Sequence, residues 1–173
     1  MGFIQQLING LELGSIYALM ALGYTMVYGI AKMLNFAHGD VIMVGAYIAY
    51  ITMSSLGLPS FVAIIFAMIV CTVLGIVIER LAYKPLRQAT SLAVLITAIG
   101  VSYLLQNVVL LIFGANAKNF TSIVSLEPVT LADGQINISG ETIVIILTSV
   151  IIMTVLMLFI KKSKAGQAML AVS

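Results

Sequence analysis

The chain has 173 residues, of which 62% are hydrophobic and 8% are charged, with a mean hydropathy of +1.19 and a net charge of +2. A soluble domain usually has roughly a quarter of its residues charged, so this composition excludes an ordinary soluble protein and makes lipid the expected solvent. The small net charge does not indicate nucleic acid as a partner. The single cysteine, Cys71, excludes an internal disulfide.

Five apolar segments predict an all-α, polytopic bundle of transmembrane helices that forms one domain over residues 1–173. Most of them reach the length of about 20 residues that a membrane-spanning helix needs. The first is expected to be a retained helix rather than a cleaved signal peptide, because residues 1–12 contain no lysine or arginine. The second is short, and its boundary is the least well defined. The predicted spans are about Phe3–Ile30, Val41–Leu56, Phe61–Ile78, Leu92–Phe113 and Thr142–Ile160.

The distribution of lysine and arginine predicts the orientation. Basic residues concentrate in the loop "ERLAYKPLR" (79–87) and the tail "KKSKAGQ" (161–167). These residues are Arg80, Lys84, Arg87, Lys161, Lys162 and Lys164. Because short loops rich in lysine and arginine stay cytoplasmic, both segments are expected inside and the N-terminus outside.

The acidic, turn-rich segment 114–141 is expected to be external. Its Asp-Gly dipeptide in "ADGQ" (132–135) favours a hairpin between "PVTL" and "INI".

Polar side chains recur inside the first and the fourth predicted spans. In the first span they are tyrosines at helical spacing. Two interpretations remain open: they pack or hydrogen-bond between helices, or they line a wet path. The candidate path-lining residues are Tyr17, Tyr24, Tyr28, Thr97, Ser102, Gln106 and Asn107. The small-residue pairs Gly14/Ala18 and Gly45/Ala49 predict close approach between helices.

The stretch "AKMLNFAHGD" (31–40) gathers polar residues in an otherwise apolar chain, and its candidate site residues are Asn35, His38, Gly39 and Asp40. They offer at most two good metal ligands, and neither a metal nor a cofactor is predicted. Asparagine, glycine and aspartate are poor helix formers and good caps, so a helix break is expected near 35–40. At membrane depth a break is tolerated only inside protein or beside water, and broken helices mark transporter sites. An ordinary turn between two helices and a proton relay remain alternatives.

The block "GSIYALMALGYTMVYGIAKMLNFAHGD" (14–40) resembles the LivH-like permease subunits of branched-chain amino-acid ABC importers. The resemblance continues through "MVGAYIAY" (43–50), "IERLAYKPLR" (78–87), "LITAIGVSYLLQN" (95–107) and "KSKAGQAMLAVS" (162–173). It implies a subunit that hydrolyses nothing itself and forms part of a translocation path in the cell membrane. The implied partners are a second related permease, two cytoplasmic ATPases and an extracytoplasmic binding protein that delivers leucine, isoleucine or valine. Related permeases carry urea or short amides.

Members of that family are usually nearly twice as long, and a cytoplasmic coupling helix begins where this chain stops at Ser173. The resemblance therefore leads us to expect the N-terminal part of a longer permease. Two other classes remain open: an ion-coupled secondary carrier that uses His38 and Asp40, and a structural membrane subunit without a path.

Overall fold

A computed structural model describes residues 2–31, 34–86, 88–119, 129–131, 136–164 and 166. These residues form five α-helices and a small two-stranded sheet, which confirms the predicted all-α polytopic architecture. The helices are α1 (Gly2–Ala31), α2 (His38–Ser54), α3 (Ser60–Ile78), α4 (Ser91–Phe113) and α5 (Gly140–Lys162). The strands are β1 (Val129–Leu131) and β2 (Ile136–Ile138).

Capping residues in the sequence set several helix ends. The Thr90 side chain accepts a hydrogen bond from the Ala93 backbone N–H at 3.4 Å and so caps α4. Ser139 does the same for α5 through the Thr142 N–H at 3.2 Å. Gly114 ends α4 with a φ of 74°, a backbone conformation that favours glycine.

The predicted basic loop at 79–87 is helical over most of its length, so its interpretation as a loop is wrong. After α3 the chain continues as a π-helical turn over Glu79–Tyr83 and a 3₁₀ turn over Lys84–Leu86. Glutamate, arginine, leucine and alanine are good helix formers, and the first residue that opposes a helix is Pro85. We call the segment 79–86 the α3 extension.

Four helices of the described residues are long and apolar enough to cross a membrane: α1, α3 with its extension, α4 and α5. Many of their large apolar side chains point outward, as at Leu111, which is 85% exposed. Outward-facing leucine and isoleucine on long helices are expected where lipid is the solvent. The remaining helix, α2, has 17 residues, and it runs from His38 to Ser54 rather than over the predicted Val41–Leu56.

Contacts divide the chain into two units, and one contains α2, α3 with its extension, and α4. Helix α2 packs along α3 and also contacts α4. The core of this unit is formed by Ile78, Tyr83 and Ala98, against which Val41 and Leu105 pack. The buried part of the α3 extension therefore belongs to the same core as the first turn of α2.

The other unit contains α1, the two strands and α5. Helix α1 packs along α5 and contacts β2. The strands pair antiparallel with Thr130 opposite Asn137, which confirms the predicted pairing of "PVTL" with "INI". The predicted turn at 132–135 lies outside the described residues.

Candidate functional site

The segment before α2 is organised by the Asn35 side chain. Its Oδ1 atom accepts a hydrogen bond from the Ala37 backbone N–H at 3.1 Å and another from the Tyr83 hydroxyl at 2.8 Å. The Asn35 carbonyl accepts from the His38 N–H at 3.2 Å. Asparagine favours this conformation because its side chain bonds to the backbone two residues on. Residues 34–37 are therefore a non-helical segment that Tyr83 of the α3 extension holds in place.

Asp40 lies in the first turn of α2 and is 8% exposed. Its Oδ1 atom accepts a hydrogen bond from Gln106 Nε2 at 2.9 Å, and the same nitrogen donates to Ser102 Oγ at 3.2 Å. Although aspartate is a good cap, Asp40 does not cap α2, because the N-cap position belongs to Ala37 and has no side-chain hydrogen bond. The Asp40 carboxylate instead bonds to the polar side of α4 that Ser102 and Gln106 form, which we call the polar face of α4.

The helix break lies level with the interior of α4. At about 1.5 Å per residue, Gln106 lies about 22 Å beyond Ser91 and about 10 Å before Phe113. A second contact fixes the relative direction of the two helices: the rings of Tyr47 and Phe113 stack with centroids 4.5 Å apart. Because this pair lies about two turns beyond Asp40 and Gln106 on both helices, α2 and α4 run parallel. An ordinary turn beyond the helix ends would not place the first turn of α2 there.

Helix α3 meets the same turn of α2 near its own middle. Cys71 Sγ donates a weak hydrogen bond to the Val41 carbonyl at 3.5 Å. One turn further along α2, a Cβ atom added to Gly45 would lie 2.9 Å from that sulfur. Ala49, the other member of the predicted small-residue pair, is buried. The absence of a side chain at Gly45 is what allows α2 and α3 to approach so closely.

The remaining candidates in the first turn of α2 are His38 and Gly39. His38 is the first residue of α2 and is half-buried, whereas Gly39 is exposed. A Cβ atom at Gly39 would meet no other heavy atom within 4 Å, so the space beside it is open.

Two candidates on α4 bond within their own helix. Thr97 Oγ1 donates to the Ala93 carbonyl at 2.9 Å, and Asn107 Nδ2 donates to the Tyr103 carbonyl at 2.7 Å. Of the other two polar residues predicted on α4, Gln106 donates to Asp40, and Ser102 accepts a hydrogen bond from Gln106.

The three tyrosine candidates lie on α1, in the other unit. Tyr17 and Tyr28 are 66% and 46% exposed, and Tyr24 is half-buried. Their role as path-lining residues stays a prediction. Gly14 of the predicted pair Gly14/Ala18 has open space around it, with no atom of another element within 4 Å of an added Cβ.

The basic residues lie near helix ends. Arg80 and Lys84 are exposed on the α3 extension, and Lys161 and Lys162 occupy the last turn of α5, where positive charge favours the helix dipole. Lys164 is exposed just beyond α5, and Arg87 lies outside the described residues.

The sequence did not predict two sets of side-chain hydrogen bonds. The first is the bond of Tyr83, which lies in the block "IERLAYKPLR" and was not among the candidate site residues. An aromatic residue among good helix formers was the feature of the sequence that could have indicated it. The second is a chain of hydrogen bonds in the other unit, where Thr142 Oγ1 lies 2.7 Å from both Glu12 Oε2 and Ser139 Oγ. Since a hydroxyl has one proton, Ser139 donates to Thr142 and Thr142 donates to Glu12.

The chemistry available around Asp40 is hydrogen bonding and charge. One carboxylate, an amide and a hydroxyl converge there from α2 and α4. Among the described residues, no group of three or more histidine, cysteine, aspartate or glutamate side chains is placed to hold a metal ion. The arrangement is therefore suited to binding a small polar or charged group inside an apolar helix bundle.

Comparison with known proteins gives consistent matches. Residues 6–173 match the family model described as branched-chain amino acid transport system / permease component. The chain is 42% identical over 179 residues to the high-affinity branched-chain amino acid transport system permease protein BraD of Pseudomonas aeruginosa, covering 96% of this chain and 57% of that protein. It is 38% identical over 176 residues to the permease proteins LivH of Salmonella typhimurium and Escherichia coli, with the same coverage. The chain thus spans little more than half the length of these relatives. No solved structure matches it significantly.

Proposed function

The chain belongs to the family of branched-chain amino acid transport permease components, and from this premise we propose that it is a transmembrane subunit of an ATP-driven importer. In this proposal it forms part of the translocation path for branched-chain amino acids and is not itself an enzyme. The observation that carries the proposal is the buried Asp40, hydrogen-bonded to Gln106 at the level of the α4 interior. Buried polar groups at membrane depth are costly and are typical of transport pathways.

The break before α2 supports a path rather than a purely structural role. Residues 34–37 are non-helical, and such backbone is tolerated at membrane depth only where protein or water surrounds it. Asn35 and Tyr83 supply the protein side of that environment. The other proposed path-lining residues, Thr97, Asn107 and the α1 tyrosines, are exposed or half-buried on their helices.

The proposed partners are a second related permease, two cytoplasmic ATPases and an extracytoplasmic binding protein. The relatives' names, which specify branched-chain amino acid transport, support this assignment. The exposed Arg80 and Lys84 place positive charge on the α3 extension, which we propose faces the cytoplasm together with the end of α5.

This orientation has a direct test. Single cysteines are introduced at the exposed Asn116 and at Ser163, each in a Cys71→Ala background. An impermeant thiol reagent added to intact cells should label position 116 and spare position 163, because the basic segments are proposed to be inside. Labelling of position 163 alone would reverse the proposed topology.

The transport function is tested in proteoliposomes that contain the chain, the second permease and the ATPases, with the binding protein outside. We expect labelled leucine to accumulate only when ATP is inside and the binding protein is present. Gln106→Leu should abolish accumulation, whereas Val108→Leu, an apolar exchange on the same helix, should preserve it. Accumulation without ATP that an ionophore collapses would identify the ion-coupled carrier instead. Unchanged accumulation in Gln106→Leu would favour a structural subunit.

A further inference from the structure

The exposed side of α3 carries an apolar stripe that ends in two cations. Its outward-facing apolar side chains recur at spacings of three and four residues and therefore lie along one side of the helix. They are Phe66, Ile69, Val73 and Val77. The same spacing continues into the α3 extension at Arg80 and Lys84, and both of these side chains are exposed. The stripe and the two cations form one outward surface, which we call the α3 outer face.

The π-helical turn decides which residues of the α3 extension point outward. This turn covers Glu79–Tyr83, and in a π-helix the hydrogen-bonded residues are five apart, so that such residues align. Ile78 and Tyr83 are five residues apart, and both are buried in the core of their unit. Between them, Arg80 is exposed and Leu81 is 76% exposed. The turn thus buries one side of the extension and presents Arg80 and Leu81 on the other.

The length of α3 places the extension at the level of the lipid headgroups. Helix α3 has 19 residues and is therefore about 28 Å long, while the hydrocarbon core of a bilayer is about 30 Å thick. From Phe66 to Val77 the apolar stripe is about 17 Å long, which is close to half of that thickness. The α3 outer face therefore offers an apolar surface as long as one leaflet, with Arg80 and Lys84 just beyond it.

We propose that the α3 outer face binds an anionic phospholipid, whose phosphate lies between Arg80 and Lys84 and whose acyl chains lie along the apolar stripe. A guanidinium group donates two parallel hydrogen bonds to phosphate oxygens, and the lysine ammonium adds a second positive charge. Glu79, the acidic residue of the extension, is half-buried, so the exposed charge is positive. This inference goes beyond the proposed transport function and requires only that the chain lies in a membrane.

Continuity of the surface favours a lipid over an acidic protein as the occupant. Arg80 and Lys84 end a stripe of exposed apolar side chains on a helix that is long enough to cross the membrane. A phospholipid contacts the apolar stripe and the cations at the same time. A protein outside the membrane reaches only the cations.

The test uses a fluorescent reporter, because the chain contains no tryptophan. Leu81→Trp places a single tryptophan on the α3 outer face of the full chain, which is reconstituted in vesicles of phosphatidylcholine and phosphatidylglycerol. Bromine on the acyl chains of one lipid or the other quenches the reporter, and quenching over a series of mixtures gives the relative association constant of the two lipids. We expect a preference for phosphatidylglycerol. Arg80→Gln combined with Lys84→Gln should lower that preference by about fivefold for each residue, since each basic residue near an anionic surface contributes about 1 kcal/mol.

Two matched controls separate a local site from the net charge of the chain. Lys161→Gln combined with Lys162→Gln removes the same charge at the end of α5, in the other unit, and should leave the preference at position 81 unchanged. A second reporter, Leu111→Trp, lies on the exposed side of α4 close to its last residue, Phe113, and should show no preference. Circular dichroism checks that each variant keeps its helical content.

Several results would overturn the proposal. Equal affinity for the two lipids in the chain that carries only Leu81→Trp would do so, even if the double variant at Arg80 and Lys84 does not fold. An equal loss of preference in the variant at Lys161 and Lys162 would assign the effect to net charge. A preference that sodium phosphate abolishes, and that sodium chloride of the same ionic strength does not, would show a site for free phosphate. Equal affinity for the two lipids, together with binding of the ATPases that the double variant loses, would assign the two cations to a protein partner.

Discussion

The hydrogen bond between Tyr83 and Asn35 is the contact through which the α3 extension holds the helix break. Tyr83 is 8% exposed, and its hydroxyl donates to Asn35 Oδ1 at 2.8 Å. Tyr83→Phe removes that donor without opening a cavity, so we expect a loss of about 1 kcal/mol in the free energy of unfolding. Asn35→Ala also removes the acceptor of the Ala37 N–H and should therefore cost about 2 kcal/mol. The double variant should cost less than the sum, because the two single changes remove one shared bond.

Unfolding in mixed micelles, followed by circular dichroism over a denaturant series, measures these differences. Tyr103→Phe is the matched control, because Tyr103 is 63% exposed and no side-chain hydrogen bond of its hydroxyl is present among the described residues. It should change the free energy of unfolding by less than about 0.5 kcal/mol. Strict additivity of Tyr83→Phe and Asn35→Ala would refute the contact, since uncoupled residues share no interaction energy.

Two further contacts give predictions. Gly45→Ala should destabilise the chain by about 1 kcal/mol or more, because the new methyl group meets the Cys71 sulfur at 2.9 Å. In the same assay, adding Cys71→Ala should recover much of the lost free energy of unfolding. If it recovers none, the clash with the Cys71 sulfur is not the cause of the loss. Thr142→Val removes the hydroxyl that donates to Glu12 at 2.7 Å and should cost about 2 kcal/mol, because the acceptor is charged. Glu12→Gln should reduce that cost, since its acceptor is neutral; an equal cost in both backgrounds would contradict the pairing.

The sequence alone predicted the elements of this fold that depend on composition. Long apolar runs located the five helices, and an Asp-Gly dipeptide located the paired strands, because these signals are local. The π-helical continuation through Tyr83 was not predicted, because the segment was interpreted as a loop from its basic residues although most residues of "ERLAY" are good helix formers. The capping expectation for Asp40 was wrong for a related reason. A capping preference is local, whereas its bond to Gln106 depends on how α2 packs against α4, which a single sequence does not specify.

The two hydrogen bonds beside the break connect it to consecutive elements of the chain. Asn35 is held by Tyr83 of the α3 extension, and Asp40 is held by Gln106 of α4. Because the extension ends at Leu86 and α4 begins at Ser91, the two elements are joined by a short connection. A shift of that connection therefore acts on both ends of the break, through Tyr83 on one side and through the polar face of α4 on the other. In the proposed importer this connection faces the ATPases. Their conformational change would reach the helix break before α2 through two side-chain contacts rather than through the lipid-facing helices.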